Sequence, residues 1–219
     1  MKKMNNHKHI RTASFVLVLF YLVGIAGLSF PATFHLFQRL IPLALLLSAA
    51  ILVIFHPSGV DKKTVVVFTV IYISGFLVEM AGVATGIIFG DYRYGEGLGF
   101  KIAGTPVIIG LNWLLLVYTT SGITEALRLR PVPAILASSA AMLLYDFILE
   151  QVAALLDMWY WSSGNAPCRN YLAWFVIALV FQTMVKLTGI KTINRISPVV
   201  YACQFLFLLM MLLIFTFQA

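Results

Sequence analysis

Runs of about twenty apolar residues recur along most of this chain, separated by short connections that carry proline, glycine, asparagine or charge. A run of that length is enough to cross a bilayer as an α-helix. Hydrocarbon offers no partner to backbone N–H and C=O groups, so a spanning chain must be helical or a closed barrel. A barrel would read as alternating segments of about ten residues, and that pattern is missing. With 61% hydrophobic and 11% charged residues in 219, the chain falls outside the usual range of soluble domains. The fold class expected is therefore all-α: one polytopic membrane bundle over 1–219, with no soluble domain.

Seven spans are expected, at 12–30, 33–55, 64–89, 102–124, 132–156, 171–188 and 197–217. Turn residues punctuate them at Phe30-Pro31, His56-Pro57-Ser58-Gly59, Arg130-Pro131-Val132-Pro133 and Gly164-Asn165-Ala166-Pro167. Pro42 and Pro106 fall inside spans two and four, where neighbouring helices can re-satisfy the freed backbone. Alternate connections divide the Lys and Arg residues unevenly, 11 against 4 of the 15 in the chain. The positive-inside rule then places the N-terminus in the cytoplasm. The basic stretch 1–11 is read as a cytoplasmic tail leading into a signal anchor. The expected location is the bacterial cytoplasmic membrane, crossed several times. The same charge distribution argues against nucleic acid as a partner, because the net charge of +7 sits at helix ends rather than on one face.

Three of the eight acidic residues, Glu79, Asp146 and Glu150, lie inside apolar spans. An ionisable group at membrane depth is expensive and points to function by default. The expected orientation places all three in the outer half of the bilayer. Asp146 and Glu150 are four residues apart and share a helix face, which Asp157 extends toward the surface. Two carboxyls this close in a low-dielectric site do not both ionise easily. One neutral carboxyl beside one carboxylate is the pairing that general acid/base chemistry needs. The alternative is helix–helix glue, with the acids hydrogen-bonded to Asn112, Asn170 or a tyrosine. Glu79 opens a segment in which Gly82, Gly86 and Gly90 recur every four residues, a stripe suited to close packing against another helix.

Aromatic residues divide between two uses. Trp159, Tyr160 and Trp161 fit an interfacial anchoring belt. Trp113 and Trp174 are expected one or two turns into their spans, as core or as pocket walls whose π-density steadies a cation. His7, His9, His35 and His56 lie in the tail or at span ends, and Cys168 and Cys203 show no metal-like spacing, so no metal site and no disulfide are expected. Phosphate loops, nucleophile elbows and zinc signatures are absent. The Asp-rich motifs that hold a magnesium diphosphate are missing too.

Two blocks carry a resemblance. The first is Glu79-x-x-Gly82-x-x-Thr85-Gly86-x-x-Phe89-Gly90-x-Tyr92-x-Tyr94, continuing through Gly99-x-Lys101, Gly104-x-Pro106 and Trp113. The second is Asp146-x-x-Leu149-Glu150-x-Val152-Ala153, then Trp159-x-Trp161, Gly164, Pro167 and Asn170-Tyr171-x-x-Trp174-Phe175. Together they resemble the carotenoid 1,2-hydratase family of membrane proteins, over 79–175. Gln151 departs from the pattern, since much of that family has proline there. The resemblance implies a lipophilic carotenoid substrate and water as co-substrate. It also implies addition of water to a terminal double bond of an acyclic end, giving a tertiary alcohol without metal or redox cofactor. Glu79, Asp146 and Glu150 are then the catalytic residues, with the proton donor among them open. Tyr92, Tyr94, Asn112, Trp113, Asp157, Asn170 and Trp174 are the substrate or water partners. The chemistry agrees with those residue types. Protonating a trisubstituted alkene takes a neutral acid, and the resulting cation takes water that a carboxylate deprotonates. A carotenoid cyclase shares the protonation step, and a proton-coupled transporter would also bury acids. Product mass separates the first two.

Overall fold

The computed structural model describes residues 2–56 and 59–218, with side chains from Lys8 onward. Pro57 and Ser58 of the expected second turn, and the side chains of Lys2, Lys3 and His7, lie outside the described residues. The chain forms α1 (Lys2–Ser29), α2 (Pro31–Gln38), α3 (Ile41–Ile54), α4 (Lys62–Thr85), α5 (Ile108–Ala126), α6 (Pro131–Ala153), α7 (Cys168–Thr188) and α8 (Ser197–Gln218). Short strands decorate the connections: β1 (Tyr92–Tyr94), β2 (Lys101–Ile102), β3 (Thr105–Pro106) and β4 (Trp159–Trp161).

Among the described residues, five helices are long and apolar enough to cross a membrane: α1 from Lys8, α4, α6, α7 and α8. The pair α2 and α3 makes a sixth if it is one crossing bent by 54°. The second expected span is thus broken at Arg39-Leu40, where Pro42 sits in the first turn of α3 and its missing N–H costs nothing. The fourth expected span starts later than its hydropathy indicates. Residues 101–106 form the β2–β3 hairpin, so Pro106 stands in a strand ahead of the helix. The helix that follows, α5, is not among the apolar five because it carries Asn112, Thr119, Thr120, Ser121 and Thr124, all buried. It packs against α3, α4, α6, α7 and α8. A helix ringed by protein needs no lipid-soluble surface, and its hydroxyls find backbone partners, as Thr119 and Thr120 do on the carbonyls of Leu115 and Leu116.

Close approach of α4 to α5 is set by two glycines. A Cβ on Gly75 would meet the Trp113 side chain, and one on Gly110 would meet the Tyr72 carbonyl. Glu79 lies one turn beyond Gly75, and Trp113 one turn beyond Gly110, so the same contact brings carboxyl and indole together. At its end α4 stops on Gly86, left-handed at φ 63°, whose N–H returns to the Gly82 carbonyl. Gly90, at φ 130°, lies against Pro167 and Trp161. The glycine stripe therefore serves the returning loop rather than a neighbouring helix. A Cβ on Gly82 would strike Phe89 and crowd the Tyr92 hydroxyl.

The α4–α5 and α6–α7 connections meet as a two-stranded antiparallel ribbon. Tyr92 pairs with Trp161, Arg93 with Tyr160 and Tyr94 with Trp159. Alternation puts Tyr92, Tyr94, Trp159 and Trp161 on one face, toward the bundle. Arg93 and Tyr160 take the other face, with the guanidinium 4.9 Å from the ring centroid.

Candidate active site

The ribbon lies over one end of the bundle, and its inward face supplies hydrogen-bond donors to two acids on two helices. Glu79, near the end of α4, is 4% exposed. Its Oε2 accepts from the hydroxyls of Tyr92 at 2.7 Å and Tyr94 at 2.8 Å. Its Oε1 accepts from Trp113 Nε1 at 2.9 Å. Glu150, near the end of α6, receives both ribbon tryptophans on Oε2, Trp159 Nε1 at 3.0 Å and Trp161 Nε1 at 2.7 Å. Its Oε1 accepts from Asn170 Nδ2 at 3.0 Å. Burial and the charge of Glu79 hold the Tyr92 and Tyr94 phenols well above their ordinary pKa, so both remain neutral donors.

Asp146, one turn before Glu150, is completely buried. The same Asn170 amide reaches its Oδ2 at 3.2 Å, and its Oδ1 is buried with no hydrogen-bond partner. The two acids of α6 thus share one amide contributed by the first turn of α7. Asn170 is 1% exposed and held in place there by its own N–H on the Pro167 carbonyl.

Aromatic surface surrounds the carboxyls. Trp113 and Trp174 stack with centroids 3.8 Å apart and planes at 20°. Tyr92 lies 4.9 Å from Trp161, so the group that binds Glu79 touches the group that binds Glu150. Trp159 closes the ring edge-on to Tyr94 at 5.9 Å. Behind Trp159 is a cavity of about 50 Å³, lined also by Tyr21, Ile41, Asn112, Tyr145, Leu149, Gln204 and Phe207. The three carboxyl residues are not among its lining. A further cavity of about 80 Å³ shares Tyr21, Ile41, Ala44 and Phe207 and extends to Phe37 and Leu40 at the α2–α3 break.

Of the residues singled out in the sequence, Glu79, Tyr92, Tyr94, Trp113, Asp146, Glu150, Asn170 and Trp174 come together at this end. Asn112 is buried on the cavity wall instead. Asp157, expected to carry the acidic stripe toward the surface, lies beyond the end of α6 at φ 54°, accepts from the Glu96 N–H at 3.0 Å and the Tyr160 hydroxyl at 2.8 Å, and ties the loops together. Trp159 and Trp161, read as interfacial anchors, are hydrogen-bonded to Glu150. The period-two spacing of Tyr92-x-Tyr94 and Trp159-x-Trp161 was the available signal for a ribbon face. Gln204, buried in the last helix among apolar neighbours, had no pattern to mark it. Gln151, at the position of the expected proline, is exposed, and its amide returns to the Phe147 carbonyl at 3.4 Å. Among the described residues, no group of three or more His, Cys, Asp or Glu is placed to hold a metal ion.

The fold and the site define a helical membrane-type protein with paired buried carboxyls roofed by aromatic donors. Residues 40–219 match the family described as carotenoid biosynthesis protein, and the chain belongs to that family. The bisanhydrobacterioruberin hydratase of Haloarcula japonica is 25% identical over 154 residues, covering 64% of this chain and 52% of that protein. The chain thus spans about half the length of that curated relative. No solved structure matches it.

Proposed function

We propose that the protein is a carotenoid hydratase that adds water across the terminal C1–C2 double bond of an acyclic carotenoid end, of the lycopene or γ-carotene type. The observation that carries this reading is the unequal treatment of two neighbouring acids. Glu150 and Glu79 each collect three N–H or O–H donors, which favour a carboxylate. Asp146 collects one, keeps an oxygen without a partner and is wholly buried. That is the setting of a neutral carboxyl with a proton to give.

In the reaction so assigned, Asp146 protonates C2 and the positive charge develops at tertiary C1. The stacked Trp113–Trp174 pair and the Glu79 carboxylate steady it through π-density and charge. Water adds to C1, Glu150 takes the released proton, and its return to Asp146 restores the starting state. Asn170, bonded to both carboxyls, orients the pair. Tyr92, Tyr94, Trp159 and Trp161 hold Glu79 and Glu150 in position. The apolar cavities leading from the α2–α3 break support entry of the polyene from lipid.

The same reading gives α5 a crossing of its own and counts α2 with α3 as one broken crossing. Seven spans then leave the N-terminus in the cytoplasm of a bacterial inner membrane and the carboxyl end toward the outer face. Reporter fusions at the α4–α5 and α5–α6 connections test this by reporting opposite sides. The reaction is tested by expression in a lycopene-producing bacterium with mass spectrometry of the pigment. Product heavier by one water is expected, absent in Asp146→Asn. A product of unchanged mass and altered chromatography would make the protein a cyclase. Unaltered pigment would remove the catalytic reading.

A further inference from the structure

Gln204 of α8 lines the cavity behind Trp159 and is 2% exposed, yet neither its Nε2 nor its Oε1 has a hydrogen-bond partner. A buried amide with both ends unmade is costly, and such a group calls for an explanation. The neighbouring polar groups are already committed or stand across the space. The Tyr21 hydroxyl, at 3.0 Å from Ser48 Oγ, is also a polar neighbour of the Gln204 amide, without coming within hydrogen-bond distance of it. Asn112, 4% exposed, faces the same cavity from α5. Tyr145, 4% exposed, adds a phenol to the lining, the rest is largely apolar, and the space suffices for a few waters or one small polar group.

We propose that Gln204 and Asn112 form a hydroxyl-binding subsite, distinct from the carboxyl cluster and separated from it by Trp159. An amide presents one acceptor and two donors, so it pairs with a hydroxyl in either direction. The ligand is an oxygen bearing hydrogen inside a largely apolar cavity, supplied by water or by the alcohol of a hydrated carotenoid end. Trp159 links the two places, since its indole N–H is bound to Glu150 and its ring walls the cavity. This deepens the hydratase reading and rests on it for the identity of the alcohol.

The test uses full-length protein in lipid nanodiscs carrying Gln204→Met or, as a second shape, Gln204→Leu. Three quantities are measured: thermal stability without ligand, turnover of lycopene, and affinity for 1-hydroxylycopene against lycopene by tryptophan quenching. Because neither end of the amide has a protein partner within hydrogen-bond distance, either replacement is expected to leave stability unchanged or raised. If the subsite holds the alcohol, affinity for 1-hydroxylycopene falls about tenfold, the size of one buried hydrogen bond, while affinity for lycopene stays. If it holds water, turnover falls and both affinities stay. The proposal is overturned if stability drops in both variants, which would make the amide structural, or if turnover and both affinities are unaltered. Wild-type protein that binds 1-hydroxylycopene through Gln204 but hydrates nothing would sink the proposed reaction and leave this subsite standing.

Discussion

Both ends of the bundle hold an acid with three hydrogen bonds, and the surroundings of the two differ. At the end opposite the ribbon, Glu125 closes α5 and directs Oε2 to the connection between α7 and α8. It accepts from Thr192 N at 2.8 Å, Thr192 Oγ1 at 2.9 Å and Ile193 N at 2.9 Å. Two of those donors are backbone N–H groups that would otherwise be unmade. Ser121, Thr124, Ser138 and Gln182 continue a network of hydroxyls and amides there, with Gln182 Nε2 on the Thr120 hydroxyl at 2.9 Å. At the ribbon end all but one of the donors are aromatic side chains, the acids come three together, and Asp146 keeps an oxygen without a partner. One arrangement fastens a loop. The other concentrates three carboxyls that fasten no loop, which agrees with the proposed reading of that end as the reaction site.

The contrast breaks most visibly at Asp146 and Glu150. Asp146→Asn and Glu150→Gln are each expected to cut hydrated product by about 10²- to 10⁴-fold, the range of general acid/base catalysis, with the protein still folded by its melting curve. Retained turnover in both variants would reduce the ribbon end to another fastening. Trp113→Phe removes one donor from Glu79 and one face from the tryptophan stack. It should lower turnover by about tenfold, the worth of one hydrogen bond to a charged group, measured as initial rate in nanodiscs.

Glu125→Gln sharpens the comparison from the other side. It is expected to cost about 1–3 kcal/mol of stability by weakening charge-assisted bonds to Thr192 and Ile193. Turnover per folded molecule should stay unchanged. A fall in turnover without loss of stability would tie the two ends together and contradict their division of labour. Gly75→Ala joins both effects: a Cβ there meets the Trp113 ring, and overpacking costs about 1–3 kcal/mol. The same displacement moves the indole from Glu79, so activity and melting temperature should fall in parallel.

Much of this was legible in the sequence for one reason: lipid enforces it. Apolar runs marked α1, α4, α6, α7 and α8, and buried acids stood out against them at Glu79, Asp146 and Glu150. Where protein rather than lipid surrounds a segment, hydropathy loses its meaning. Polar α5 is the packing hub, and the span expected from 102 begins with a hairpin. Gly82, Gly86 and Gly90 have helical spacing, but Gly86 and Gly90, both at positive φ, turn the chain back so that Tyr92 and Tyr94 reach Glu79. Pairing of Tyr92 with Trp161 and of Tyr94 with Trp159 joins residues 69 and 65 positions apart. No local pattern reports a partner at that distance, and the tryptophans therefore read as anchors.

The smallest expected effect lies on the ribbon's outer side, within a few residues of the site. Lys101 Nζ reaches Glu96 Oε1 at 2.7 Å and the Tyr94 carbonyl at 3.4 Å, but the Glu96 side chain is 84% exposed. Solvent and salt screen such a pair, so Lys101→Met is expected to change stability by less than ~1 kcal/mol. Turnover should not change, because Tyr94 is held by its own hydroxyl on Glu79, by Trp159 edge-on and by the strand register with β4. The measurement is initial rate and melting temperature at low and high salt. If turnover of the wild type falls with added salt and Lys101→Met abolishes that dependence, the exposed ion pair clamps the ribbon over the carboxyls. The ribbon end would then owe its geometry to a surface charge rather than to the buried donors that distinguish it from the Glu125 end.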